Sequence, residues 1–199
     1  MVQLGVLVAA AITVRPFYFV RHGETLANAT GHYSAATVDT FSPKGRQEVR
    51  ALTGELLKMP RFDMILVSPS PRAIQTIAPY LVQTRQRAYV WPLLYECCTG
   101  RRPPGAKAAP FGFGSKISIP KGLEPYFVPI PGETRFPNAP SYNEGLGQVN
   151  ATVSEFNRLY RGRNVLLVGH SGNGGHFLHE LTGKWIQLKN AELHKITIG

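Results

Sequence analysis

Apolar residues along the chain fall into short runs, and each run stops at a polar turn. Phe17-Tyr18-Phe19-Val20 gives way to Arg21-His22-Gly23-Glu24-Thr25, and Met64-Ile65-Leu66-Val67 to Ser68-Pro69-Ser70-Pro71-Arg72. Val165-Leu166-Leu167-Val168 ends in Gly169-His170-Ser171-Gly172. Such runs, bounded by turn residues, read as short buried strands. Tyr89-Val90-Trp91 and Ile196 to Ile198 are weaker strand candidates.

Between the runs the period lengthens. Ser42 can cap a helix and Pro43 can occupy its first position; Val49, Leu52 and Leu56 then share one face, and Pro60 marks the end. Ser68 to Thr76 reads as a helix-starting turn with Arg72 on its first turn. Ser141-Tyr142-Asn143-Glu144 is a capping-box pattern. Behind it Leu146, Val149, Val153, Phe156 and Tyr160 predict an amphipathic helix of about five turns. A last helix is expected from about Gly175 to Leu181. Strands alternating with helices predict an α/β fold, a three-layer α/β/α sandwich on a mostly parallel central sheet.

One region breaks the alternation. From Cys97 to Leu123 there are five basic residues (Arg101, Arg102, Lys107, Lys116, Lys121) and no acidic one, and nine of the sixteen prolines lie between Pro103 and Pro140. A long stretch with little periodicity inside a compact domain predicts a functional lid or a mobile segment. The domain is therefore read as residues 15–199, with a Pro/Gly-rich basic insertion at about 97–140 and an apolar extension at 1–14.

At 199 residues the chain fits one domain with a real core. Its formal net charge of +10 favours anionic ligands. Cys97 and Cys98 are neighbours, with Cα atoms about 3.8 Å apart across a trans peptide against the about 4.4–6.8 Å of common disulfides. They read as packed, reduced thiols. Leu4 to Val14 is too short to cross a membrane; it suits a signal-peptide core or an added apolar strand, but no Lys or Arg precedes it. Export would expose the sequon Asn28-Ala29-Thr30 beside the Arg-His-Gly turn, so a cytoplasmic protein is the expectation, without stable membrane insertion.

In an open α/β sheet, ligands collect beyond the carboxyl ends of parallel strands. Three such ends would bring Arg21, His22, Arg72 and His170 to one edge. Two guanidinium groups and two imidazoles suit phosphate better than a metal ion, because guanidinium forks match its oxygens in pairs. Like charge from the arginines should hold His22 neutral and nucleophilic. Glu96 adds a carboxyl that could protonate a leaving oxygen and then take a proton from water.

These residues resemble the histidine phosphatase superfamily, with its phosphoglycerate mutase-like fold. The resemblance rests on Arg21-His22-Gly23-Glu24-Thr25 with Asn28, on Ser68-Pro69 through Arg72-Ala73 and Gln75-Thr76, on Leu94-Tyr95-Glu96, on Glu144, and on Val168-Gly169-His170. It implies that His22 forms a phosphohistidine, that Arg21, Arg72 and His170 bind the phosphoryl group, and that Glu96 donates the proton. Asn28 and Thr25 would contact substrate; Arg101 and Arg102, in a stretch that the resemblance does not cover, are read as further substrate contacts from their charge five and six residues after Glu96. No metal or organic cofactor is implied. The second ring nitrogen of His22 should be fixed by an acceptor such as a backbone carbonyl. Departures occur at Gly31-His32, at Ala27 and at Gln47.

The expected activity is phosphomonoester hydrolysis of a small phosphorylated metabolite or phosphoprotein, with nucleic acid not expected as a partner. The alternatives are a phosphoglycerate mutase-type transferase and a non-catalytic polyanion or phosphoprotein binder. His176 and His179 share a helix face but do not form a His-Glu-x-x-His pattern, and read as packing residues. His194 reads as solvent-facing. Phe111 and Phe113 read as part of a lid.

Overall fold

The computed structural model describes residues 16–98, 112–160 and 162–198. The apolar N-terminal stretch and the predicted contacts Arg101 and Arg102 lie outside the described residues. In order, the elements are β1 (Phe17–Arg21), α1 (Leu26–Thr30), α2 (Pro43–Leu56), β2 (Met64–Val67), α3 (Pro71–Thr84) and β3 (Ala88–Val90), then β4 (Phe127–Pro129), α4 (Tyr142–Leu159), β5 (Val165–Gly169), α5 (Ser171–Thr182) and β6 (Leu193–Ile196). Short 3-10 turns occupy Pro92–Leu94 and Glu124–Tyr126.

The six strands form one sheet in the order β4-β3-β2-β5-β1-β6. All pairings are parallel except β1 with β6. Val168 of β5 lies beside both Val20 of β1 and Val67 of β2, so these three strands end together. That register brings the three predicted ligand-bearing turns to one edge.

Side-chain alternation divides the core between the two faces. Val20, Ile65, Val67, Leu166 and Val168 pack with Leu52 and Leu56 of α2 and Ile74 and Ile77 of α3. Phe17, Phe19, Leu66, Val165 and Leu167 pack with Val149 and Phe156 of α4 and Phe177 and Leu178 of α5. The fold is thus the expected mostly parallel three-layer sandwich. Among the described residues no helix is long and apolar enough to cross a membrane.

Several elements differ from the sequence reading. The last helix starts at Ser171, not near Gly175. Its glycines lower helix propensity, but Gly174 lies so close to β1 that a Cβ there would stand 2.3 Å from the Phe19 ring. Close helix–sheet contact outweighs the roughly 1 kcal/mol propensity cost of glycine. The final strand is Leu193–Ile196, set by antiparallel pairing with β1, and does not run from Ile196 to Ile198. His194 consequently sits in the sheet, with its side chain 16% exposed beside Glu192, and does not face solvent. The low-periodicity stretch contributes β4, an edge strand of three residues that is too short to show alternation.

Candidate active site

His22 follows β1 and is 4% exposed. Its backbone N–H donates to Gly169 O at 3.0 Å, and Asn190 Nδ2 donates to His22 O at 2.8 Å. Its Nδ1 lies 2.8 Å from Gly23 O. A carbonyl accepts only, so Nδ1 carries the proton and Nε2 presents a lone pair. Gly23 N in turn donates to Thr76 Oγ1 at 3.0 Å, tying the turn to α3. The imidazole is held well below the usual histidine range, first by burial and then by the Arg72 and Arg21 charges. Like charge, which alone carried the sequence argument, is the secondary cause.

His170 is the N-cap residue of α5 and is fully buried, its ring centroid 5.2 Å from that of His22. Both of its nitrogens are engaged. Arg72 Nη2 donates to Nδ1 at 3.2 Å, and Nε2 lies 2.7 Å from Ser68 Oγ and 3.2 Å from Ser70 Oγ. A guanidinium can only donate, which places the His170 proton on Nε2. Burial, followed by the Arg72 charge, also holds this imidazole well below its usual range.

Arg72 lies on the first turn of α3. Its Nη1 donates to Asp39 Oδ1 at 3.0 Å, and its backbone N donates to the same oxygen at 3.3 Å. Sequence reading misses Asp39, which arrives from the irregular loop before α2 with no motif to mark it. Ser68 and Ser70 were visible only as turn residues. Arg21 donates from Nη1 to Leu188 O at 3.1 Å, while its buried Nε has no hydrogen-bond partner among the described residues.

Glu96 follows the turn after β3 and is 6% exposed. Its Oε1 accepts from Asn173 N at 3.0 Å and Cys97 N at 3.1 Å, and its Oε2 accepts from Gly172 N at 3.4 Å. Burial raises its pKa, outweighing these amides and the arginine charges, which act in the opposite sense. Asn173, which sequence reading also missed, donates through its side chain to Leu93 O at 3.1 Å and so pins α5 to the Glu96 turn.

Thr25 and Asn28 make a capping box at the start of α1. Thr25 is 1% exposed, and its hydroxyl donates to Asn28 Oδ1 at 3.2 Å. Asn190 Nδ2 also reaches Asn28 Oδ1, at 3.4 Å. The structure therefore joins both residues to the turn that holds His22, and turns the Thr25 hydroxyl inward.

A cleft of about 860 Å³ opens beside these groups, lined in part by Arg21, Cys98, Ser171, Gly172, His176 and Trp185. The His179 ring stacks on Trp185 at 4.2 Å, and the His176 ring meets it edge-on at 5.0 Å. Among the described residues no group of three or more His, Cys, Asp or Glu is placed to hold a metal ion. On the other side Tyr95 lies 6.2 Å from the His170 ring and is covered by Phe113 and Phe136.

Known proteins resemble this chain in sequence and in fold. The model of the histidine phosphatase superfamily (branch 1) matches residues 17–107. No curated protein sequence matches the chain. Solved structures share the fold at low identity. The α-ribazole phosphatase from Shigella flexneri aligns with a TM-score of 0.58 and 17% identity, over 92% of this chain and 95% of that one. The mycobacterial glucosyl-3-phosphoglycerate phosphatase gives 0.55 and 16%, over 90% of each chain. The phosphoserine phosphatase from Entamoeba histolytica gives 0.53 and 13%, over 92% and 94%. The chain therefore resembles the histidine phosphatase superfamily, in sequence over residues 17–107 and in its phosphoglycerate mutase-like fold over almost the whole domain.

Proposed function

We propose that the protein is a metal-independent phosphomonoester hydrolase that works through a phosphohistidine on His22. The observation carrying this reading is the His22–Gly23 hydrogen bond, which leaves Nε2 unprotonated in a pocket flanked by Arg21 and Arg72. The Nε2 lone pair attacks phosphorus, and the bond from phosphorus to the ester oxygen breaks. Arg21 and Arg72 hold the phosphoryl oxygens and offset their charge, and His170, which accepts from Arg72, keeps that guanidinium in place. Glu96, whose pKa burial raises above the ordinary carboxyl range, gives its proton to the departing oxygen. The resulting carboxylate then takes a proton from water as that water attacks phosphorus, releasing inorganic phosphate and restoring both groups.

The substrate class is a small phosphorylated metabolite or a phosphoprotein. Solved structures of the same fold include phosphatases named for α-ribazole phosphate chemistry, phosphoserine and glucosyl-3-phosphoglycerate, which supports hydrolysis over mutase chemistry. The test is phosphate release from p-nitrophenyl phosphate in the presence of EDTA, comparing native protein with His22→Ala. Turnover that resists EDTA and is lost in the variant is the expected result. Equal turnover in both forms overturns His22 as nucleophile. A folded native protein that binds polyanions without turnover would instead be a binding protein.

A further inference from the structure

The two cysteines are unused by the proposed chemistry, yet they are built into its edge. Cys97 is buried and Cys98 half-buried, and their Sγ atoms lie 2.7 Å apart, only about 0.7 Å beyond the about 2.05 Å of a disulfide bond. Cys98 adopts a left-handed backbone conformation, φ 57°, which side-chain-bearing residues seldom occupy. Space for the pair comes from α4. A Cβ at Gly145 would stand 2.6 Å from Cys98 Sγ and 3.0 Å from Cys97 Cβ, and Gly145 O also faces Cys97 Sγ at 3.4 Å. The pair is asymmetric in access, since Cys98 lines the cleft with Arg21 and Gly172 while Cys97 lies behind it.

We propose that Cys97 and Cys98 are a redox-active vicinal dithiol, oxidised reversibly to a disulfide by low-molecular-weight disulfides that reach Cys98 from the cleft, and that oxidation disturbs the seat of Glu96. In the first step the Cys98 thiolate attacks the small disulfide. A bond forms between Cys98 and one of its sulfurs, and the other leaves as a thiol carrying the proton from Cys98. In the second, Cys97 gives up its proton and attacks Cys98 Sγ, closing the ring and releasing the second small thiol. The protein loses two electrons and two protons, and the small disulfide gains them. Access fixes the order, and the Cys98 thiol is lowered by its hydrogen bond with Cys97, whereas Cys97 is raised.

Ring closure over a single peptide bond requires the backbone to rearrange, because trans neighbours sit about 3.8 Å apart at Cα, under the usual disulfide range. The peptide that must rearrange joins Cys97 to Cys98, and the Cys97 N–H on the other side of the same Cα is one of the three donors to Glu96, so the rearrangement acts next to that bond. Strained disulfides are the easily reduced, regulatory kind. The thiol chemistry stands apart from the phosphatase reading, and only its effect on turnover rests on that reading.

The experiment incubates the full-length protein with oxidised glutathione, measures intact mass and free thiols, and follows p-nitrophenyl phosphate turnover before and after dithiothreitol. The expected native product has lost two hydrogen atoms and both free thiols, holds no glutathione, and is at least about tenfold less active, with mass and activity restored by reduction. Cys97→Ser should stop at a glutathione adduct on Cys98, and Cys98→Ser should remain unmodified. Native protein that keeps both thiols, or keeps a stable glutathione adduct, overturns the dithiol. Disulfide formation without change in turnover overturns the link to Glu96. If the native protein has no turnover at all, the phosphatase reading fails while the mass and thiol count still decide the dithiol.

Discussion

β1 and β5 are neighbouring parallel strands that each hand the chain to a histidine at the same edge of the sheet, yet the two rings are held in opposite ways. His22 has one nitrogen on its own turn's carbonyl and the other open. His170 has both nitrogens engaged, by Arg72 on one side and by Ser68 and Ser70 on the other. Both are buried and both are held neutral, so electrostatics alone does not separate them. What separates them is hydrogen-bond geometry, which leaves a lone pair free to react on one ring only. A similar arrangement of sequence, strand then histidine then glycine or serine, thus supports attack at one position and positioning of charge at the other.

Replacing each histidine breaks this comparison most directly. His22→Ala should lower kcat/KM by about a thousandfold or more and abolish the phosphoenzyme trapped by an alkaline detergent quench, because the nucleophile is gone. His170→Ala should cost about a hundredfold, the scale of a misplaced binding group, because Arg72 loses the acceptor that keeps it in place, and still allow phosphoenzyme to form. If the second variant loses the phosphoenzyme and the first retains it, the roles are reversed.

Glu96→Gln should lower kcat by about a hundredfold to ten-thousandfold, the usual contribution of a positioned acid. The pH profile carries the sign. His22 must be unprotonated, so native kcat/KM should fall only when pH drops below the ordinary histidine range, because its pKa is lowered. Glu96 must be protonated, so the alkaline limb should begin above the ordinary carboxyl range, because its pKa is raised. The Gln variant should lose that alkaline limb and keep the acid one, and a profile that keeps both contradicts the assignment.

Asp39→Asn sharpens the comparison from the side of Arg72, which links the two histidine environments. Without the charged partner at 3.0 Å the guanidinium loses its anchor, and kcat/KM should fall by about tenfold, mainly through KM. A rise in phosphate affinity instead would mean that Asp39 competes with the substrate for Arg72.

Stability offers the smallest but cleanest check. Both imidazoles are neutral in the folded state and have depressed pKa values, whereas unfolded histidine takes up its proton near about 6.5. As pH falls through that region the unfolded state binds more protons, so stability should decline towards acid. Thermal unfolding of a His22→Asn, His170→Asn double variant should show a flatter dependence. Gly174→Ala should cost about 1–3 kcal/mol in denaturant unfolding by forcing α5 away from Phe19.

The chain's own pattern determined the strands at Phe17, Met64 and Val165, the capped helices at Ser42 and Ser141, and the mostly parallel sheet, because burial periodicity and capping are local properties. It also put Arg21, His22, Arg72 and His170 forward, since each sits where a buried run meets a turn, and Glu96 through the motif Leu94-Tyr95-Glu96 and the carboxyl it adds. Tertiary structure alone decided the rest. Asp39 reaches Arg72 from a loop without periodicity, the start of α5 runs through glycines that only close packing explains, and β6 is fixed by its antiparallel partner. Which histidine nitrogen is free, and which cause dominates each pKa, depends on burial and on donors far away in sequence, and those distances are set only when the sheet closes around the pocket.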